Sequence, residues 1–74
     1  MEERMEGIRF PNLRKEMAKQ GHSISDLAKR IGVKEKALTR WLCGKQSMEV
    51  YYAVQICKVY DKLVDYLFLR EEEI

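Results

Sequence analysis

The stretch ISDLAKRIGVKEKALTRWLC, from Ile24 to Cys43, constrains the fold of this chain more than any other feature. It holds two apolar periods of helical spacing, Leu27-Ala28-Ile31 and Ala37-Leu38-Trp41-Leu42, on either side of one glycine, Gly32. A glycine at that point supplies the left-handed backbone that ends a helix tightly, so the second helix must leave the first at a steep angle. Helices that cross steeply through a short turn need a small residue where they touch, and Ala28 stands midway along the first. Leu27, Ile31, Val33, Leu38 and Trp41 then fall where apolar side chains lock the pair from both sides, with the Trp41 indole N–H at the edge of the contact. Glu35, Lys36, Thr39 and Arg40 share the opposite face of the second helix.

The flanking sequence supplies three more helices. Pro11 suits a first helical turn, Leu13, Met17 and Ala18 keep helical spacing, and Gly21 stops the run, which predicts a helix over 11–20. Ser23, with Asp26 three residues on, predicts a capped start at Ile24. The helix after Gly32 should run from Lys34 or Glu35 to Cys43 and end at Gly44. Ser47 is placed to cap a fourth helix over 48–60, with Val50, Ala53, Val54, Cys57 and Tyr60 inward. Asp61 is placed to cap a short fifth over 62–69, whose Leu63, Tyr66, Leu67 and Phe68 close the core. Adjacent Tyr51 and Tyr52 point to different faces, so at least one should be exposed. The expectation is an all-α, five-helix cluster over 11–69, with a partly flexible N-terminal extension over 1–10 and a frayed acidic tail over 70–74.

Composition removes other classes. Seventy-four residues suffice for one domain, and no apolar run approaches the roughly 20 residues that span a bilayer. The acidic start MEERMEG is unlike a secretory leader, so a cytoplasmic protein with free thiols is expected. Cys43, Cys57 and His22 are too few for a tetrahedral metal site, so neither metal nor cofactor is expected. No nucleophile–base pair and no glycine-rich phosphate loop points to an enzyme, and no small-molecule ligand is evident. Charge is uneven: residues 1–47 carry eleven Lys/Arg against six Asp/Glu, and residues 48–74 carry three against six. The basic half, which contains the paired helices, suits a polyanion.

Taken together, Gly21, Ser23, Leu27-Ala28, Gly32-Val33, Leu38-Thr39-Arg40-Trp41, Gly44-Lys45, Ile56, Asp65 and Leu67-Phe68 resemble the Cro/repressor-type (XRE-like) helix-turn-helix family of phage and bacterial transcriptional regulators, without gaps from Leu13 to Phe68. The resemblance implies a compact lambda-repressor-like DNA-binding domain with its helix-turn-helix at 24–43. The implied function is a sequence-specific regulator, a repressor, that puts helix 34–43 into the major groove of double-stranded DNA. Base reading then falls to Glu35, Lys36, Thr39 and Arg40. Lys36 and Arg40 donate, suiting guanine; Glu35 accepts, suiting cytosine; the Thr39 hydroxyl and methyl suit thymine or a phosphate. Glu35 has a second reading, as an acid favoured in a first helical turn or paired with Thr39 or Arg40. Phosphate contacts fall to Ser23, Lys34, Lys45, Gln46 and Ser47. A homodimer on a pseudo-palindrome is expected, with Tyr66, Phe68, Leu69 and Ile74 as its contacts, acting at the nucleoid.

Three departures from the family pattern stand out. Ile24 replaces a phosphate-clamping Gln, Lys34 replaces a Ser or Thr cap, and Met17 with Leu42 replaces a buried Arg–Glu pair, an exchange of an ion pair for an apolar contact that is often neutral or stabilising. The alternative function is a protein-binding module of the same fold, an antirepressor or an antitoxin, using Tyr51, Tyr52 and the C-terminal region.

Overall fold

The computed structural model describes residues 8–70, which form α1 (Pro11–Gln20), α2 (Ile24–Ile31), α3 (Glu35–Leu42), α4 (Val50–Tyr60) and α5 (Val64–Leu67), with no strand among them. Each of the first two helices ends in a left-handed glycine. Gly21 has φ 69° and Gly32 φ 77°, a region costly for any residue with a Cβ. The turn after Gly32 is tight, since the N–H groups of both Gly32 and Val33 reach back to the Ala28 carbonyl, at 2.9 and 3.0 Å. Val33 is thereby dropped, half-buried, against the core.

The core is built from one to three apolar side chains per helix. Leu13 and Met17 of α1, Leu27 of α2, Leu38 and Leu42 of α3, Ile56 of α4 and Leu67 of α5 are all fully buried. Ala28 is 2 % exposed at the contact of α2 with α3, the small residue that lets two helices approach. Met17 and Leu42 enter the same apolar cluster, where no charge has to be desolvated. The chief backbone neighbour of α1 is α5, and α2 is the hub that touches both α3 and α4.

Polar groups tie the two ends of the chain together. Asn12 Nδ2 donates to the Tyr66 carbonyl (2.9 Å), and the Tyr66 hydroxyl donates to Glu16 Oε2 (3.1 Å). Glu16 is only 4 % exposed and also faces the Lys19 ammonium at 3.6 Å. The Tyr66 hydroxyl is held above the usual phenol range, by burial first and then by its bond to Glu16. Phe10 meets Phe68 edge to face at 5.1 Å. On the other side of the molecule His22 Nδ1 and the Tyr60 hydroxyl are hydrogen-bonded at 2.8 Å, joining the α1–α2 turn to the end of α4.

Several details depart from the sequence reading. Ile8, left in the N-terminal extension by its position ahead of Pro11, is buried in the core, while Ala18 is exposed on α1. Ser47 does not cap α4, whose first residue is Val50 and whose N-cap Glu49 makes no side-chain bond. Val50 is 77 % and Val54 41 % exposed, and α4 buries Ile56 in their place beside Tyr60, which faces inward as expected. Because α4 is apolar on nearly every side, spacing alone could not fix its rotation. Asp61 ends α4 rather than starting α5: it takes the left-handed conformation (φ 54°), which Asp tolerates better than most residues, and Lys62 N–H returns to the Cys57 carbonyl. The last helix shortens to Val64–Leu67, and Leu63, expected to close the core, is 78 % exposed.

Candidate nucleic-acid interface

The interface is organised by α2, which is fastened at both ends. The Asp26 N–H donates to Ser23 Oγ (3.1 Å) and the Ser23 N–H to Asp26 Oδ2 (2.9 Å), a reciprocal cap that satisfies two otherwise open donors. These bonds, with the nearby His22 and Lys29 adding less, hold the Asp26 carboxyl below the usual carboxylate range. Ile24, Leu27 and Ala28 face inward. Ile24 thus serves the core from the position where a phosphate-clamping Gln would stand. The Ser23 hydroxyl remains exposed, with its own proton available to a phosphate oxygen.

The next helix, α3, lies across α2 and is held from its inner side by Leu38 and Leu42, with Trp41 stacked on Tyr52 of α4 at 5.2 Å. Trp41 is half-buried against the core, in the packing role its helical phase predicts. The N-cap Lys34 makes no side-chain cap bond, so the first N–H groups of α3 stay open to solvent at the positive end of the helix dipole. Glu35, Lys36 and Arg40 are exposed and Thr39 is half-exposed. Those four side chains line a single solvent-open concavity on the outer face of α3. Glu35 makes no ion pair with Arg40 among the described residues, which leaves both groups available to an outside partner. Lys34, Lys36 and Lys45 are likewise exposed and without an ion pair among the described residues.

Beyond α3 the chain turns through Cys43 and Gly44 (φ 79°), with Lys45 N–H bonded to the Arg40 carbonyl at 2.9 Å. Lys45, Gln46 and Ser47 are exposed on this turn. The N–H groups of Gln46 and Ser47 find no acceptor among the described residues. The structure thus brings the expected base-reading set together on one helix face and leaves the expected phosphate donors exposed at the ends of α2 and α3.

The residues expected to pair two copies fare differently. Tyr66 and Phe68 are half-buried and engaged within the chain by Glu16 and Phe10, Leu69 is half-buried, and Ile74 lies outside the described residues. The large apolar side chains exposed among the described residues are instead Val50, Tyr51, Val54, Leu63 and Val64, on α4, its connection to α5 and the first residue of α5. Of these only Tyr51 was marked by the sequence, as one of two adjacent tyrosines that cannot both face inward; Val50, Val54 and Leu63 sit in apolar periods that read equally well as core. Tyr51 is the exposed member of the tyrosine pair and meets half-buried Tyr52 edge to face at 5.0 Å. Cys43 and Cys57 are free and half-buried, burial pushing the Cys57 thiol up. No cluster of three or more His, Cys, Asp or Glu side chains able to hold a metal occurs among the described residues. No helix among them is long and apolar enough to cross a membrane.

Helices α2 and α3 meet at Ala28 through the tight Gly32 turn, and α3 presents a polar outer face without ion pairs among the described residues, the arrangement of a DNA-binding helix-turn-helix. The sequence pattern of the helix-turn-helix family matches residues 13–67, and the chain belongs to that family, of the Cro/C1 (XRE) type with a lambda-repressor-like fold. It is a regulatory rather than an enzymatic family. No curated protein and no solved structure matches the chain.

Proposed function

We propose that this chain is a sequence-specific repressor that binds double-stranded DNA with α3 in the major groove. The observation that carries the reading is the convergence of Glu35, Lys36, Thr39 and Arg40 on one open face, with the ends of α2 and α3 offering donors on either side. Arg40 and Lys36 present donors for guanine O6 and N7 and Glu35 an acceptor for cytosine N4, so a half-site containing G·C pairs is expected. Ser23, Lys34, Lys45, Gln46 and Ser47 set the register on the phosphates without reading sequence.

The repressor works as a homodimer, with α3 helices about 34 Å apart on a pseudo-palindrome. The exposed apolar side chains of α4 and the α4–α5 connection are the pairing surface, in preference to Tyr66 and Phe68, which are spent inside the protomer. A second copy fits this surface because its rim carries both signs, Lys58 and Lys62 beside Asp61, so that two copies related by a twofold axis can match cation to anion. Residues 48–70 hold three cations and three anions, and two copies therefore meet there without net repulsion. Such a regulator acts in the cytoplasm, at the nucleoid.

Selection of bound duplexes from a random pool tests the function. Enrichment of a palindrome with G·C-containing half-sites is expected; recovery of no preferred sequence, with affinity set by salt alone, contradicts it. Sedimentation of the Leu63→Glu chain tests the pairing surface. The wild type should sediment as a dimer and the variant as a monomer, whereas a monomeric wild type that captures a different protein through Tyr51 and Leu63 would favour a protein-binding module.

A further inference from the structure

The residues just before α1 run past the end of α3, and Arg9 makes the connection. Its N–H donates to the Leu42 carbonyl at 2.8 Å, which pins the segment to the last turn of the reading helix. Its side chain then crosses the bare face of Gly44: a Cβ built there would stand 3.4 Å from Arg9 Cγ, 3.8 Å from Nε and 4.0 Å from Cδ. The aliphatic stem is packed, the residue is exposed, and the guanidinium is carried to the turn that holds Lys45, Gln46 and Ser47. Arg9 makes no ion pair among the described residues, and neither does Glu49, the acid that follows this turn. One short stretch of surface therefore gathers a planar five-donor cation, a second cation in Lys45, and the open N–H groups of Gln46 and Ser47.

We propose that Arg9 is a phosphate contact, supplied from the segment ahead of α1 and closing an anion site with Lys45, Gln46 and Ser47. This rests on the DNA-binding reading above and adds to it a residue far from the helix-turn-helix in sequence. The ligand is a phosphodiester of the duplex backbone, and the guanidinium fork matches two of its oxygens. Gly44 is required to be glycine by its φ of 79°, and the Arg9 stem lies against it at van der Waals distance. The competing role for Arg9 is purely structural, a cation at the negative end of the α3 dipole.

Salt titration separates the two roles. Binding of the intact chain to a fluorescein-labelled mixed-sequence duplex is followed by anisotropy for wild type, Arg9→Lys and Arg9→Gln, alongside thermal melts. Arg9→Gln should flatten the plot of log K against log salt by about 0.9, so that the wild-type advantage shrinks by about 3.5-fold between roughly 50 and 200 mM salt. Arg9→Lys should keep the wild-type slope. An unchanged slope in Arg9→Gln, with or without a lower Tm, overturns the assignment while leaving DNA binding by the wild type intact. A wild type that fails to bind the duplex at any salt overturns the DNA-binding reading and this assignment with it.

Discussion

The two helices of the motif differ in how they begin. Helix α2 has a reciprocal cap at its start, a left-handed glycine at its end and three buried side chains in eight residues. Helix α3, of the same length, has no side-chain cap at its start, ends at the left-handed Gly44 one residue past Cys43, and buries two of its residues. With Lys34 standing where a capping side chain would, the start of α3 draws no local bond, and its stability comes from its inner face and from the helix beneath it. Local chemistry holds the start of α2, and tertiary packing holds that of α3.

That contrast breaks most visibly at Leu38. Leu38→Ala should cost about 2–5 kcal/mol, as for a large buried side chain replaced without full collapse, read as a lower denaturant midpoint at constant m. A cost well under 1 kcal/mol would mean that α3 does not depend on packing. At the caps the expected effects are smaller and opposite in sign. Ser23→Ala should destabilise the fold by about 1 kcal/mol, whereas Lys34→Ser should stabilise it by several tenths to about 1 kcal/mol while weakening DNA binding. Should Lys34→Ser leave stability unchanged, the start of α3 is already satisfied by some other group.

The smallest effects are in pH. The Asp26 carboxyl is held below its ordinary value of 3.8, so its contribution is complete above that pH and lost as pH falls through the folded value. Ser23→Ala should therefore make the acid limb of stability shallower. Burial pushes the Tyr60 phenol up from 10.0 to about 12, the Arg30 cation opposing. Its contribution is complete below pH 10 and lost as pH rises towards 12. Tyr60→Phe should flatten that alkaline loss, with a residue left by Tyr66, which is shifted the same way. Denaturant midpoints at acid and alkaline pH check both, and an alkaline limb unaltered by Tyr60→Phe would remove Tyr60 from the account.

How far each region was legible in the sequence follows the same division. Local chemistry is written in local residues, so Pro11, Ser23 with Asp26, and Gly32 disclosed α1 and α2 to within a residue. The polar face of α3 was legible too, because its apolar positions are few and evenly spaced. Helix α4 was not. It is apolar nearly all round, so the face that lands inward is chosen by α2 and α5, and Val50 and Val54 went outward against expectation. Asp61 was read as a start because Asp caps helices well, yet it occupies the left-handed position that ends one. Arg9 and the buried Glu16 depend on partners more than thirty residues away, Leu42 and Gly44 for the first and Tyr66 for the second, and no short pattern announces such contacts.

The central claim is that the outer face of α3 reads base pairs while the ends of α2 and α3 grip phosphates. Its most direct test is the base-preference profile of Arg40→Ala beside that of Lys45→Ala, measured on every single substitution of the selected site. Arg40→Ala should lose about 1–3 kcal/mol of discrimination at one base pair per half-site and keep the rest, and Lys45→Ala should weaken all sequences alike. Uniform weakening by both would contradict the account, because it would make Arg40 another phosphate contact and leave α3 without a reading role.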